Sequence, residues 1–228
     1  MSIPLPGDFI DIHTHGAVPV AGVFSVENLM PHEARIPSDI KGLTFTYGIH
    51  PWYVNERNHI SLIKTVKEIA GNPSLLAIGE AGFDKLRGPS PELQKLVFEE
   101  QASIAETNKK PVFIHCVRAW DELIAAHKNL KPGMPWLIHG FRGSLQLAEQ
   151  LLSRGMFLSF WFDFVLRPES ANLLRAVPGE RIFLETDGAE ADIKDIYYKV
   201  SADLNITSDE LKNIIYSNYI NVFTSKNE

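Results

Sequence analysis

Short apolar runs that stop at a histidine or an acidic residue recur along this chain, and they constrain what it can fold into. The runs are rich in Ile, Leu, Val and Phe and are too continuous for a strand with one face in water. They are typical of strands buried on both faces, as in a parallel sheet covered by helices. Loops at the C-terminal ends of such strands carry catalytic groups, so we expect the residues that end the runs to converge. They are His13 and His15 in FIDIHTH, Glu80 in LLAIGE, His115 in PVFIH, His139 in PWLIH and Asp187 in RIFLETD.

Three further runs bring the candidate strands to eight, the number that closes a (β/α)8 barrel. They are LTFTYGIH at 43–50, VFSVENL at 23–29 and MFLSF at 156–160. Amphipathic stripes predict helices between the strands, including one after Ser90-Pro91 and a last one that begins with the capping box of Thr207 and Glu210. The sequence therefore predicts an α/β fold, a (β/α)8 TIM barrel. The segment before residue 43 is short, so we expect distortion or trimming around the second strand, whose run 23–29 also contains acidic and amide residues.

Composition predicts one compact domain over residues 1–228. The chain is 45% hydrophobic, and barrels of about 200–250 residues are usually single domains. The first residues, MSIPLPGDF, lack a basic region followed by an apolar segment, and no run approaches the ~18 apolar residues of a membrane span. We therefore expect a cytoplasmic protein that does not enter the membrane, and no obligate protein partner is evident.

The single cysteine, Cys116, raises the alternative of a Cys–His nucleophile, since it follows His115 directly. Neighbouring residues of a strand point to opposite faces, so Cys116 packs against a helix if His115 faces the site. This favours a buried, unreactive thiol.

The donor types at the run ends indicate a metal site that hydrolyses its substrate. Imidazoles and carboxylates together suit Zn²⁺, Mn²⁺ or related divalent ions, whereas structural zinc sites favour thiolates. His13 and His15 lie two residues apart on one strand face and can hold one ion jointly. We expect Asp187 to complete the shell of that ion and to accept a proton from its water.

A second ion is expected beside the first. Glu80 has two carboxylate oxygens and can bridge the ions, and His115 and His139 would complete the second shell. For any one of these histidines the alternative is a hydrogen-bonded core residue. Six such residues in this order after successive strands favour metal ligation.

Motifs along nearly the whole chain resemble those of the TatD family of metal-dependent hydrolases, which have amidohydrolase-like barrels. The motifs are DIHTH, GIHPW, AIGEAGFD, PVFIHC, IHGFRGS, LETDG and a closing segment from Asn218 to Phe223. The resemblance implies two divalent ions (Zn, Mn or Mg) and metal-dependent hydrolysis of phosphodiesters in DNA. It implies as ligands the same residues that end the runs: His13, His15, Glu80, His115, His139 and Asp187.

His50, in GIHP, follows a candidate strand but is not needed to satisfy two ions. We therefore expect it to act in catalysis, with Glu80 and Asp187, by contacting the scissile phosphate or a water. The alternative is a histidine that only fixes the turn before Pro51. The sequence also departs from the family's usual motifs: Trp52 stands where a second histidine is common, and Arg118 comes one residue later than the usual arginine.

No broad phosphate-binding surface is evident from the charge, because 22 Lys and Arg stand against 28 Asp and Glu, a formal net charge of −6, which argues against tight non-specific duplex binding. A metal-centred nuclease needs little basic surface, since its ions supply positive charge. Besides His50, we expect Arg118, Arg142 and Trp161 to contact a substrate that is DNA or a small phosphoester. Trp161 lies in the aromatic run 160–164, whose alternative role is a packed lid.

Two other functions stay open on the sequence alone. The same site would suit hydrolysis of a small amide, lactone or phosphomonoester, or the chain could bind metal without turnover. The carboxylate of Asp187 beside an open coordination position favours turnover.

Overall fold

The fold is an α/β sheet of eight strands in chain order, seen in a computed structural model that describes residues 3–16, 18–32 and 44–224. Pairing is parallel where the register is given, between strands 1 and 2, 3 and 4, 4 and 5, and 7 and 8. The strands are β1 (Phe9–Thr14), β2 (Val23–Leu29), β3 (Phe45–Tyr47), β4 (Leu75–Asp84), β5 (Val112–Val117), β6 (Trp136–Ile138), β7 (Phe157–Trp161) and β8 (Ile182–Glu185). The predicted (β/α)8 class is confirmed.

Helices follow the strands as the amphipathic stripes predict. They are α1 (His59–Ile69), α2 (Pro91–Thr107), α3 (Trp120–Leu130), α4 (Leu145–Leu152), α5 (Phe162–Val165), α6 (Ser170–Ala176), α7 (Ile193–Leu204) and α8 (Ser208–Phe223), with a 3-10 turn at Gly179–Arg181. Among the described residues, no helix is long and apolar enough to cross a membrane.

Three strands differ from their predicted form, and one of them, β3, spans only Phe45–Tyr47 of the run at 43–50. The run VFSVENL is the whole of β2, so this strand is not shortened, and residues 33–43, where a following helix was in doubt, lie outside the described residues. The expectation that the fourth strand ends at Glu80 is wrong, because β4 continues to Asp84. Ala81 and Phe83 are buried and extend the apolar pattern past Glu80.

The chain divides into two compact units, each with its own core. One unit is Asn28–Leu137, and the other combines Ile3–Glu27 with Ile138–Glu228. In the first, Phe98 on α2 packs edge-on against Trp136, with ring centroids 5.2 Å apart. In the second, the hydroxyl of Tyr197 on α7 accepts from Ile10 N and donates to Ile10 O, which ties α7 to β1.

Side-chain caps fix where several helices begin. The hydroxyl of Ser90 accepts from Leu93 N, and Pro91 is the first residue of α2. At α8 the capping box is complete: Thr207 Oγ1 accepts from Glu210 N at 3.1 Å, and Glu210 Oε2 accepts from Thr207 N at 2.7 Å. Both caps were predicted from sequence and are confirmed.

Replacing Thr207 by Ala should lower the free energy of unfolding by about 1 kcal/mol, because the N-terminal amides of α8 lose their acceptor. Urea denaturation followed by circular dichroism measures the change. Thr207→Ser keeps the hydroxyl and is the matched control, with stability close to the unsubstituted protein. Equal losses in the two variants would show that the methyl group, not the cap, matters.

Candidate metal centre

A buried cluster in the Asn28–Leu137 unit brings together His50, Glu80 and His115. Glu80 Oε1 lies 3.2 Å from His50 Nε2 and 3.0 Å from His115 Nδ1. One nitrogen or oxygen atom from each residue falls within 4.8 Å of the others, which is close enough for a shared metal ion. Imidazole nitrogens and a carboxylate oxygen are suitable donors for a first-row divalent ion.

Glu80 is held in place by the backbone around it and by Asn28. The pairing of β4 with β5 shifts register between Ile78 and Ala81, an irregularity of the kind that redirects a side chain. Gly79 has φ +142°, and a Cβ there would lie 2.4 Å from the Phe113 carbonyl oxygen, so only glycine fits. Asn28 Nδ2 donates to Glu80 Oε2, and Asn28 Oδ1 accepts from Glu80 N, both at 3.2 Å.

Asp84 orients the ring of His115 from the opposite side. Its Oδ2 lies 3.2 Å from His115 Nε2, while Glu80 faces Nδ1. Burial alone raises the pKa of Asp84, but hydrogen bonds from Trp52 Nε1 and Leu86 N outweigh it and keep the pKa below its usual value. An Asp84 carboxylate that accepts the Nε2 hydrogen would leave the Nδ1 lone pair for a metal ion, as in carboxylate–histidine–metal sites.

The hydrogen bonds of the His50 ring differ from those of the His115 ring. Its Nδ1 accepts from Trp52 N at 3.1 Å, so a neutral ring carries its hydrogen on Nε2. An Nε2–H group donates to Glu80 and has no lone pair for a metal ion. The hydrogen bonding thus suits a proton donor better than a ligand at His50.

A second cluster lies in the other unit and consists of His13, His15 and Asp187. Asp187 Oδ1 is 3.6 Å from His13 Nε2 and 3.6 Å from His15 Nε2. These distances exceed normal hydrogen bonds, but donors on one tetrahedral ion with bonds of 2.0–2.2 Å are separated by roughly 3.4 Å. The donor set therefore fits a divalent ion.

Contacts between β1 and β8 place Asp187 beside the histidines. Asp187 N donates to His13 O at 3.0 Å. One residue earlier, Thr186 donates from its backbone N to Asp11 Oδ1 and from its hydroxyl to Asp11 Oδ2. Burial raises the pKa of Asp11 to about 7, although the bonds from Thr186 oppose the rise.

His139 lies beside this second cluster, just after β6. Its ring centroid is 4.5 Å from that of His13. Its Nδ1 lies 3.3 Å from Glu185 Oε1, which also accepts from Gly140 N at 2.6 Å. Glu185 is fully buried. Its carboxylate faces a ring nitrogen of His139, as the carboxylate of Asp84 faces a ring nitrogen of His115.

The expected substrate contacts have different surroundings. Arg142 is exposed, and its guanidinium lies 5.6 Å from the ring centroid of the half-buried Trp161. The aromatic run around Trp161 is split, since β7 ends at Trp161 and α5 begins at the next residue. Arg118 is exposed in a left-handed turn after β5.

Cys116 is mostly buried, and burial raises the pKa of its thiol, which opposes a nucleophilic role.

Sequence reasoning missed three buried polar residues that position the candidate ligands: Asn28, Asp84 and Glu185. Asp84 had a signal, because it lies four residues after Glu80 in an apolar run, and residues at even spacing share a strand face. Glu185 lies two residues before Asp187, also an even spacing.

Comparison with known proteins assigns the chain to a family. A family model described as TatD related DNase matches residues 34–224. The chain belongs to the TatD family. This membership and the two donor clusters agree with the resemblance read from the sequence motifs.

Several curated relatives are nucleases by name. The "3'-5' ssDNA/RNA exonuclease TatD" of Erwinia tasmaniensis is 34% identical over 150 residues, which cover 62% of this chain and 56% of that protein. The human "3'-5' RNA nuclease TATDN2" is 36% identical over 152 residues, 62% of this chain and 19% of the human protein. The match thus spans little more than half of the bacterial relative.

Solved structures support the fold. The TatD homologue YJJV from Escherichia coli superposes with a TM-score of 0.80 at 21% identity and covers 96% of this chain and 99% of its own. A TatD family hydrolase from Entamoeba histolytica gives a TM-score of 0.77 at 18% identity, over 98% of this chain and 99% of that one.

Replacing Asp84 by Asn should weaken divalent metal binding about 10- to 100-fold, because a neutral amide holds the Nε2 hydrogen of His115 less well. Calorimetric titration of metal-stripped protein with Mn²⁺ or Zn²⁺ measures the affinity. Asp121→Asn, on the exposed side of α3, is the matched control and should bind as the unsubstituted protein does. Unchanged affinity in Asp84→Asn would show that another group orients His115.

Proposed function

We propose that this TatD family protein is a divalent-metal-dependent phosphodiesterase that hydrolyses single-stranded nucleic acid. The observation that carries the proposal is the cluster of His13, His15 and Asp187, in which a partly exposed carboxylate lies beside two metal-binding imidazoles. The names of the relatives, exonucleases on single-stranded DNA or RNA, support this substrate class. An open site with mixed nitrogen and oxygen donors is suited to hydrolysis.

We propose two divalent ions, one in each cluster. His13, His15 and Asp187 would hold one, and Glu80 and His115 would hold the other, with His139 as a further ligand beside His13. Bound ions supply Lewis-acid stabilisation of phosphoryl charge and lower the pKa of a water toward about 7. Zn²⁺, Mn²⁺ and Mg²⁺ all accept donors of these types.

Asp187 is proposed as the general base. The Asp187 side chain is 26% exposed, so a water can reach its carboxylate. The hydrogen bond from Asp187 N to His13 O fixes the residue beside the imidazoles, where its carboxylate would accept the proton of an attacking water.

His50 is proposed to act on the phosphate. With Nδ1 occupied by Trp52 N, its Nε2–H can turn from Glu80 to a phosphoryl oxygen and stabilise the charge that develops there. Arg142 and Trp161 are proposed as further substrate contacts, because a guanidinium over an indole can bind phosphate and stack a base. Arg118 is proposed as a phosphate contact because it is charged and exposed.

Hydrolysis of end-labelled single-stranded DNA and RNA, with Mn²⁺, Mg²⁺ or Zn²⁺ and with EDTA, tests the proposal. We expect cleavage with metal, none with EDTA, and slower cleavage of duplex DNA, since a chain of net charge −6 offers little surface for duplex phosphates. Turnover of an amide, lactone or phosphomonoester panel without any phosphodiester cleavage would overturn the proposed function.

Replacing Asp187 by Asn should lower phosphodiesterase activity on the order of 10²- to 10⁴-fold, because the amide keeps the shape but accepts no proton. The rate is measured at saturating Mn²⁺ to exclude simple loss of metal. Asp209→Asn, in the exposed first turn of α8, is the matched control and should leave the rate unchanged. A near-normal rate in Asp187→Asn would remove this residue from proton transfer.

A further inference from the structure

Two stacked pairs of side chains form an exposed surface in the Asn28–Leu137 unit. The rings of His32 and Tyr53 stack with centroids 3.8 Å apart and planes 27° apart. The guanidinium of Arg87 lies 4.1 Å from the centroid of the Trp52 ring. Trp52 and Tyr53 are 36% and 39% exposed, although large aromatic side chains are normally buried. We call these four residues the stacking platform.

The stacking platform adjoins the candidate proton donor His50. The ring centroid of His50 is 4.7 Å from that of Trp52 and 5.7 Å from that of Tyr53. Trp52 is fixed in place, since its Nε1 donates to Asp84 Oδ2 at 2.6 Å and its backbone N donates to His50. Any group that stacks here is therefore held beside the cluster of His50, Glu80 and His115.

Both pairs contain flat side chains on which nucleobases can stack. Bases stack on tyrosine, tryptophan and histidine rings and on arginine guanidinium planes, and such stacking tolerates any base sequence. Only unpaired bases expose the faces that stacking requires. In a chain of net charge −6, stacking supplies binding that a basic surface does not.

We propose that the stacking platform binds unpaired nucleobases of single-stranded DNA or RNA and holds the strand beside His50. This inference rests on the proposed function and adds the site that recognises the substrate. DNA and RNA share the base faces that the platform contacts.

Binding of a fluorescent oligothymidine of about ten nucleotides, a typical single-strand site size, tests the platform. Phosphorothioate linkages resist cleavage, so anisotropy reports affinity on the protein as purified. Tyr53→Ala should weaken binding about 5- to 100-fold, the range for loss of one stacked base. Tyr198→Ala removes a tyrosine that is 54% exposed on α7 and should bind as the unsubstituted protein does.

An abasic oligonucleotide of equal length distinguishes binding by base stacking from binding by charge. Tyr53→Ala should bind this abasic strand as the unsubstituted protein does, and an equal loss on both strands would overturn base stacking. Arg87→Lys keeps the charge but not the plane, so it should weaken binding to the normal strand nearly as much as Arg87→Gln. Full affinity in Arg87→Lys would assign Arg87 to phosphate instead of base.

Two further measurements show whether the platform binds bases of DNA, of RNA or of both, and distinguish the stacking platform from the proposed phosphodiesterase activity. An oligouridine should show the same loss in Tyr53→Ala, and a loss confined to one nucleic acid would restrict the platform to that one. Metal-dependent hydrolysis of bis(p-nitrophenyl) phosphate by the unsubstituted protein tests the proposed chemistry without any base. Hydrolysis of this ester together with base-independent binding would overturn the platform and leave the phosphodiesterase proposal standing.

Discussion

The hydrogen bonds between Asp11 on β1 and Thr186 after β8 are the constraint on which the Asp187 cluster depends. They join residues 175 positions apart and satisfy both oxygens of a buried carboxyl group. Leaving such a group without donors costs roughly 1–3 kcal/mol or more. Because Thr186 is fixed in this way, the next residue, Asp187, reaches the carbonyl of His13 and brings its carboxylate to the imidazoles.

In each unit a buried carboxylate faces a ring nitrogen of one candidate ligand. A ring that is to bind a metal ion through one nitrogen must have the hydrogen on the other nitrogen held by an acceptor. Asp84 supplies that acceptor for His115, and Glu185 supplies it for His139. His50 has the reverse pattern, because a backbone N–H occupies its acceptor nitrogen. The carboxylates at His115 and His139 and the backbone N–H at His50 thus give these three rings different hydrogen-bond patterns.

Sequence patterns predicted the strands well because burial on both faces leaves a continuous apolar run, which is visible without any tertiary information. The helix starts at Ser90 and Thr207 were predictable since capping is local. The candidate ligands were found because strand ends are where polar residues can gather.

The positioning residues were harder to predict, because their role depends on which side of an imidazole they face. Asn28 looked like a defect in the second strand, yet it is the hydrogen-bond partner of Glu80. The sequence pattern predicted that β4 ends at Glu80, because a polar residue inside an apolar run resembles the end of a strand. Register shifts such as that between Ile78 and Ala81 follow from neighbouring strands and leave no periodic signal in one strand.

The division of the chain into units bears on its biosynthesis. The described part of the first unit lies within Asn28–Leu137, one stretch of chain that emerges from the ribosome in one piece, whereas the other unit is assembled from two distant segments. The side of β1 where Asp187 N donates to His13 O stays open until the residues near Thr186 have been made. Open strand edges invite association with other chains. The nascent protein is therefore most exposed to aggregation during the interval between completion of the continuous unit and arrival of β8.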